Sequence, residues 1–88
     1  MGVLNQIRRL VENGLYYLTD HAVEEADLDE IDIYDVENVL LHGKIRKTWP
    51  VEGKVEVVGR SLAGIVIGVV CRITKGRKVR VITVYEDQ

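Results

Sequence analysis

The sequence predicts an α+β fold in which N-terminal helices pack on one face of an antiparallel β-sheet. Apolar residues recur at helical spacing before Gly43, whereas β-branched residues separated by short turns dominate from Lys44 onward. Helices that precede a run of neighbouring strands are typical of this class. Eighty-eight residues are enough for one hydrophobic core and too few for two, so residues 1–88 are expected to form a single domain.

Three helices are predicted in the first half of the chain. Thr19 or Asp20 can cap the second helix, because a side-chain oxygen there accepts a hydrogen bond from an amide that is free at the helix start. Asp32 is the predicted cap of the third helix, and Gly43 is a residue type that commonly ends one. The predicted helices span about residues 3–12, 20–26 and 32–43.

One strand is predicted between the first two helices and four more after the third. The first is short and aromatic and follows Gly14. The later four are separated by the turn signals Pro50-Val51-Glu52-Gly53 and Lys75-Gly76, so they are expected to form an antiparallel meander. The predicted strands span about residues 15–18, 45–49, 55–60, 65–73 and 79–85.

The last two strands are expected to present one core face and one open face. A two-residue turn at Lys75-Gly76 pairs Thr74 with Arg77, and alternation along the strands then separates the faces. The predicted core face holds Ile67, Val69, Cys71, Ile82 and Val84. The predicted open face holds Val66, Gly68, Val70, Arg72, Val79, Val81, Thr83 and Tyr85. Since a glycine leaves room above the sheet, the open face is the candidate site.

Charge is divided unevenly along the chain. Residues 1–43 hold two basic and ten acidic residues, a net charge of −8, and residues 44–88 hold ten basic and four acidic residues, a net charge of +6. Such a division attracts a polyanion to one surface and a basic partner to another, although each half can also be an ordinary solvated surface.

Several basic residues surround the predicted last hairpin. Arg72, Lys75, Arg77, Lys78 and Arg80 can grip phosphates there, or they can serve solubility and protect the sheet edge. Trp49 is either a base-stacking side chain or a buried aromatic at the rim of the sheet.

Other features bound the class of protein. Cys71 is the only cysteine, and the N-terminus lacks the pattern of a secretory signal, so a cytoplasmic location is expected. The longest apolar run, residues 62–71, is too short to cross a membrane, so no membrane partner is expected. His21, His42 and Cys71 lack the paired spacing of metal ligands, and no phosphate-binding glycine loop is present. No metal or other cofactor is therefore expected.

Four short segments occur in a characteristic order. A His-Ala step opens a helix in Thr19-Asp20-His21-Ala22, and an Asp-Val step lies in the next helix, within residues 31–40. A glycine precedes the sheet in Leu41-His42-Gly43-Lys44-Ile45, and the last strand reads Val81-Ile82-Thr83-Val84-Tyr85. Together the segments resemble DUF4258, a family of small bacterial and archaeal domains of unknown function, over about residues 16–86.

The resemblance implies a relationship to the RelE/ParE toxin superfamily. In that superfamily, helices pack on a curved antiparallel sheet and an antitoxin is often the partner. Metal-independent RNA cleavage needs an acid, a base and a cation in one place. The resemblance therefore implies catalytic roles for His21, Arg72 and Tyr85, and it adds Arg60 to the RNA-binding residues. It also implies a basic residue where this chain has Glu25, so ribonuclease activity is expected to be weak or absent.

The expected function is binding of RNA or the ribosome through the basic sheet face, and an antitoxin-like protein is an expected partner. Whether the protein is an enzyme stays open; if it is, it is a metal-independent endoribonuclease. One alternative is a non-catalytic protein-interaction or homodimerisation module, and another is a regulator whose acidic helices mimic nucleic acid. The placement of His21, Arg72, Thr83 and Tyr85 in one concavity, or apart, distinguishes these functions.

Overall fold

The computed structural model describes residues 2–87, which form three helices and one five-stranded sheet. The α+β class is therefore confirmed. The helices are α1 (Val3–Glu12), α2 (Asp20–Leu28) and α3 (Ile33–His42). The strands are β1 (Tyr16–Leu18), β2 (Lys44–Trp49), β3 (Lys54–Arg60), β4 (Val66–Ile73) and β5 (Val79–Glu86).

The core lies between the helices and one face of the sheet. Helix α2 packs against β5 and β1, α3 packs against β3 and β4, and α1 packs mainly against α3. Ile7 and Leu40 from the helices are fully buried with Ile67, Val69 and Val84 from the sheet. Among the described helices, none is long and apolar enough to cross a membrane.

The sheet is mixed, so the prediction of an antiparallel sheet was wrong at one edge. The strand order is β1-β5-β4-β3-β2, and β2 to β5 form the predicted antiparallel meander. Strand β1 pairs with β5 in parallel, with Val79 N–H donating to Leu15 C=O at 2.9 Å and Thr19 N–H donating to Val81 C=O at 3.0 Å. The local pattern of a three-residue strand does not encode its direction, because its partner lies at the other end of the chain.

The predicted helix caps are confirmed. Thr19 Oγ1 accepts a hydrogen bond from Ala22 N–H at 3.1 Å, and α2 extends two residues beyond its predicted end. Asp32 caps α3, and with Asp35 it forms a reciprocal capping box. At Gly43 a Cβ atom would come within 2.6 Å of the Val58 carbonyl oxygen, so only glycine allows α3 to end this close to β3.

The β4–β5 register differs from the predicted one. The connecting turn has three residues, because Thr74 N–H bonds to Lys78 C=O at 2.9 Å and Arg77 adopts a left-handed conformation with φ of 60°. A β-bulge then inserts Ile82 opposite β4. Val79 and Val81, predicted for the open face, are therefore fully buried in the core, whereas Ile82, predicted for the core, lies on the open face.

Candidate functional site

A row of directly paired residues crosses the open face of the sheet. Tyr17 pairs with Arg80, Arg80 with Arg72, Arg72 with Lys54, and Lys54 with Trp49, so each strand contributes one residue. These five residues are termed the basic row. Neighbouring strands lie about 4.8 Å apart, so the row spans about 19 Å with an aromatic ring at each end.

The cations of the basic row are only partly compensated. Lys54 Nζ forms an ion pair with Glu52 at 3.1 Å and lies 5.0 Å from the centroid of the Trp49 ring. Arg72 and Arg80 are exposed, and within residues 2–87 neither forms a side-chain hydrogen bond or an ion pair. The two guanidinium groups line a shallow groove of about 460 Å³. Like charges placed directly opposite destabilise a sheet, so this arrangement opposes folding unless an anion binds.

The basic residues of the last hairpin adjoin this row. Lys75, Arg77 and Lys78 are exposed in the β4–β5 turn, next to the strand ends that carry Arg72 and Arg80. Five of the predicted RNA-binding residues thus lie at one end of the sheet.

Arg60 is separate from this group. It lies at the other end of β3, six residues from Lys54 or about 20 Å along the strand, and its Nη1 donates to the Gly64 C=O at 2.8 Å. The structure therefore does not bring Arg60 together with the other predicted RNA-binding residues.

Tyr85 lies in a polar network farther along the open face. Its ring covers Gly68, where any Cβ atom would overlap the ring. The Tyr85 hydroxyl donates to Glu56 and accepts from Arg46. Arg46 also donates to Glu56 and to Asp87, each at 2.9 Å. Arg46, Glu56, Tyr85 and Asp87 are termed the tyrosine network.

The network fixes the protonation of its members. Burial and the hydrogen bond to Glu56 raise the pKa of Tyr85 above its ordinary value. Burial opposes ionisation of Glu56, but hydrogen bonds from Arg46 and Tyr85 outweigh it and lower the pKa of that carboxyl. Tyr85 is therefore protonated at neutral pH, with its hydroxyl engaged as both donor and acceptor.

The three predicted catalytic residues are not brought together. Arg72 lies four residues along β4 from Gly68, the residue under the Tyr85 ring, which is about 13 Å. His21 lies at the start of α2 with an exposed side chain, and its Nε2 is 3.3 Å from Glu25 Oε1. Within the described chain, no three His, Cys, Asp or Glu side chains are grouped as metal ligands. The catalytic roles of these residues stay predictions.

The acidic helix α2 has a structural role that the sequence reasoning missed. Glu25 Oε1 accepts a hydrogen bond from Val84 N–H at 3.1 Å, and Asp29 accepts one from Glu86 N–H at 3.0 Å. Both amides lie on the edge of β5 beyond its pairing with β1. The two carboxylates, four residues apart on the helix, thus cap alternate residues of the strand.

Sequence reasoning also missed Tyr17 and Lys54 as members of the basic row. The sequence did contain a signal for Lys54. Residues on either side of a tight turn pair with each other, and Trp49 and Lys54 flank the turn at residues 50–53. No local pattern marks Tyr17, because its partner Arg80 is distant in the sequence.

These features define a small α+β domain whose open sheet face is cationic at one end. Residues 18–86 match the family model described as Domain of unknown function (DUF4258). The match covers more than three quarters of the chain, so the protein belongs to this family. No curated protein and no solved structure matches the chain.

Proposed function

We propose that this protein is a RelE/ParE-like domain that binds single-stranded RNA, free or in the ribosome, through its basic row. The observation that carries the proposal is the pair of exposed guanidinium groups of Arg72 and Arg80, which lie side by side without a partner among residues 2–87. Bound phosphates would offset the repulsion between them.

The aromatic ends of the row support a single-stranded ligand. Single-strand binding surfaces combine cations that contact the backbone with aromatic rings on which bases stack. Trp49 and Tyr17 flank the cations, and Tyr17 is 42% exposed. Bases that are paired in a duplex do not offer their faces to such rings, so single strands fit the row better than duplexes.

We infer further that RNA cleavage is slow or absent. Cleavage without a metal needs an acid, a base and a cation at the same phosphate. Tyr85 is engaged by Glu56 and Arg46, and His21 is paired with Glu25 on the helical layer. Arg72 thus has neither residue beside it as a proton donor or acceptor.

The binding proposal is tested with a fluorescein-labelled single-stranded RNA by anisotropy over a range of salt concentrations. The Arg72→Gln/Arg80→Gln double variant should bind more weakly and show a salt slope smaller by roughly one to two units, since each lost phosphate contact removes about 0.7. A matched Arg9→Gln/Arg60→Gln variant removes the same charge from other surfaces and should bind almost as the parent does. Equal losses in the two variants would mean that the row is not the binding site.

Cleavage is tested by incubating the protein with single-stranded RNA and, separately, with programmed ribosomes. We expect no cleavage above background by the parent. Cleavage that both Arg72→Ala and Tyr85→Phe abolish would contradict this expectation and establish an endoribonuclease.

A further inference from the structure

A second surface lies beside the outer edge of β1. A groove of about 480 Å³ is bordered by all three residues of β1, by α2 and by the segment that leads into α3. Its lining is largely apolar, and two of its side chains, Val23 and Ile33, are 43% and 44% exposed. The groove is separate from the basic row except for Tyr17, which borders both.

The backbone of β1 has unused hydrogen-bonding capacity along this groove. Leu15 C=O and Thr19 N–H bond to β5, so alternate residues of the strand turn their peptide groups inward. The peptide groups of Tyr16 and Leu18 consequently turn outward, where the described chain supplies no neighbouring strand. An incoming strand would find both a hydrogen-bonding edge and an apolar floor.

The two edges of the sheet differ in their protection. At the β2 edge, a bulge between Ile45 and Lys47 and three basic side chains, Lys44, Arg46 and Lys47, interrupt strand pairing. These are the devices by which proteins prevent unwanted strand addition. Strand β1, with the sequence Tyr-Tyr-Leu, has no charged residue, proline or bulge. Its edge is therefore open to pairing.

The charge around the groove selects the occupant. Asp27 and Asp32 line the groove, and the chain has no Lys or Arg between Leu10 and Gly43. Two copies joined through their β1 edges would bring these carboxylates toward each other, which is unfavourable. A basic segment of another protein has the complementary charge.

We propose that the β1 edge binds an extended segment of a second protein, with alternating apolar and basic side chains, which adds as a sixth strand. Backbone hydrogen bonds to Tyr16 and Leu18 supply affinity. The basic side chains lie on the groove side of the added strand, near Asp27 and Asp32, with their methylene stems on the apolar floor, and they supply specificity. The apolar side chains alternate to the opposite face of the added strand, beside Tyr17. The proposal does not rest on RNA binding by the basic row, although Tyr17 belongs to both surfaces.

The test uses the full chain labelled with ¹⁵N and a short, capped peptide of alternating lysine and valine. We expect saturable NMR shifts at the Tyr16 and Leu18 amides, with protection of these amides from hydrogen exchange. A peptide of alternating glutamate and valine should not bind. Two further lysine-valine peptides are N-methylated, one at its lysines and the other at its valines. Only the peptide whose methylated amides face β1 should fail to bind.

Protein variants test the charge of the groove. Asp27→Lys should weaken binding of the lysine-valine peptide by roughly two- to tenfold, as expected for reversal of an exposed charge. Glu12→Lys makes the same charge change on α1 and should leave binding unchanged. The proposal is overturned by absence of saturable shifts at Tyr16 and Leu18, by equal binding of the glutamate peptide, or by equal binding of both N-methylated peptides. Concentration-dependent dimerisation through β1 without peptide would also overturn it, in favour of a second copy as occupant.

Discussion

Gly68 is the residue on which the tyrosine network depends most directly. A Cβ atom at this position would overlap the Tyr85 ring, so Gly68→Ala must displace the ring and disturb its bonds to Glu56 and Arg46. We expect a loss of about 1–3 kcal/mol in the free energy of unfolding, measured by chemical denaturation. Gly76→Ala is the control, because its Cβ would meet only Thr74 Oγ1, at 3.8 Å. Equal stability of the two variants would show that the ring does not need this space.

Glu56 makes the stability contributed by the tyrosine network depend on pH. Its pKa is lowered in the folded protein, so its contribution to stability is fully present above the ordinary value of 4.5 and is lost as pH falls through the lower folded pKa. Glu56→Gln should therefore be less stable than the parent at neutral pH and lose less stability on acidification below 4.5. Thermal unfolding across this pH range measures both effects.

The control for this experiment is Glu12→Gln, which removes a carboxyl exposed at the end of α1. It should keep the acid dependence of the parent. If the dependence of thermal stability on pH were the same for Glu56→Gln as for the parent, Glu56 would not contribute to acid unfolding.

At the scale of single elements, the three-residue turn before β5 decides which side chains of the first half of that strand enter the core. Val81 is fully buried, whereas Ile82 lies on the open face beside Arg72 and Arg80. Val81→Asp should thus unfold the domain, at a cost of several kcal/mol for an unpaired buried charge. Ile82→Asp should cost much less. Circular dichroism melts distinguish the two variants, and the opposite order would favour the register of a two-residue turn, which places Ile82 in the core.

Helix α2 and strand β5 are joined through carboxylates. Glu25→Lys removes the acceptor of the buried Val84 N–H, and an unsatisfied buried amide costs about 1–3 kcal/mol. Glu24→Lys makes the same charge change at an exposed neighbour and should alter stability by about 0.5 kcal/mol or less. Similar urea midpoints for the two variants would mean that Glu25 is only a surface charge.

At the scale of the whole molecule, charge separates the two layers. The helical layer is acidic, partly because Glu25 and Asp29 cap β5, and the turn end of the sheet is basic. Lys75, Arg77 and Lys78 extend the basic row around the sheet end. Replacing all three with glutamine should lower the salt slope of RNA binding by about two units. An unchanged slope would limit the binding surface to the row itself.

The sequence by itself determined the helices, the meander, the caps at Thr19 and Asp32 and the division of charge. These features depend on neighbours along the chain: apolar residues repeat at helical spacing, strand residues alternate, and a cap bonds within one turn of helix. Grouping of the basic residues on the last hairpin was equally local.

Only the tertiary structure decided the direction of β1, the position of Ile82 and the composition of the basic row. One additional residue in the β4–β5 turn exchanged the faces of Val79 and Val81, and the bulge then restored the predicted faces of Thr83, Val84 and Tyr85. The local pattern revealed neither the longer turn nor the bulge. The row joins five strands, so its members become neighbours only when every register is set. Tertiary packing also separates His21 from Tyr85. Helix α2, which carries His21, packs along the β5 edge, whereas the Tyr85 ring crosses Gly68 on the open face.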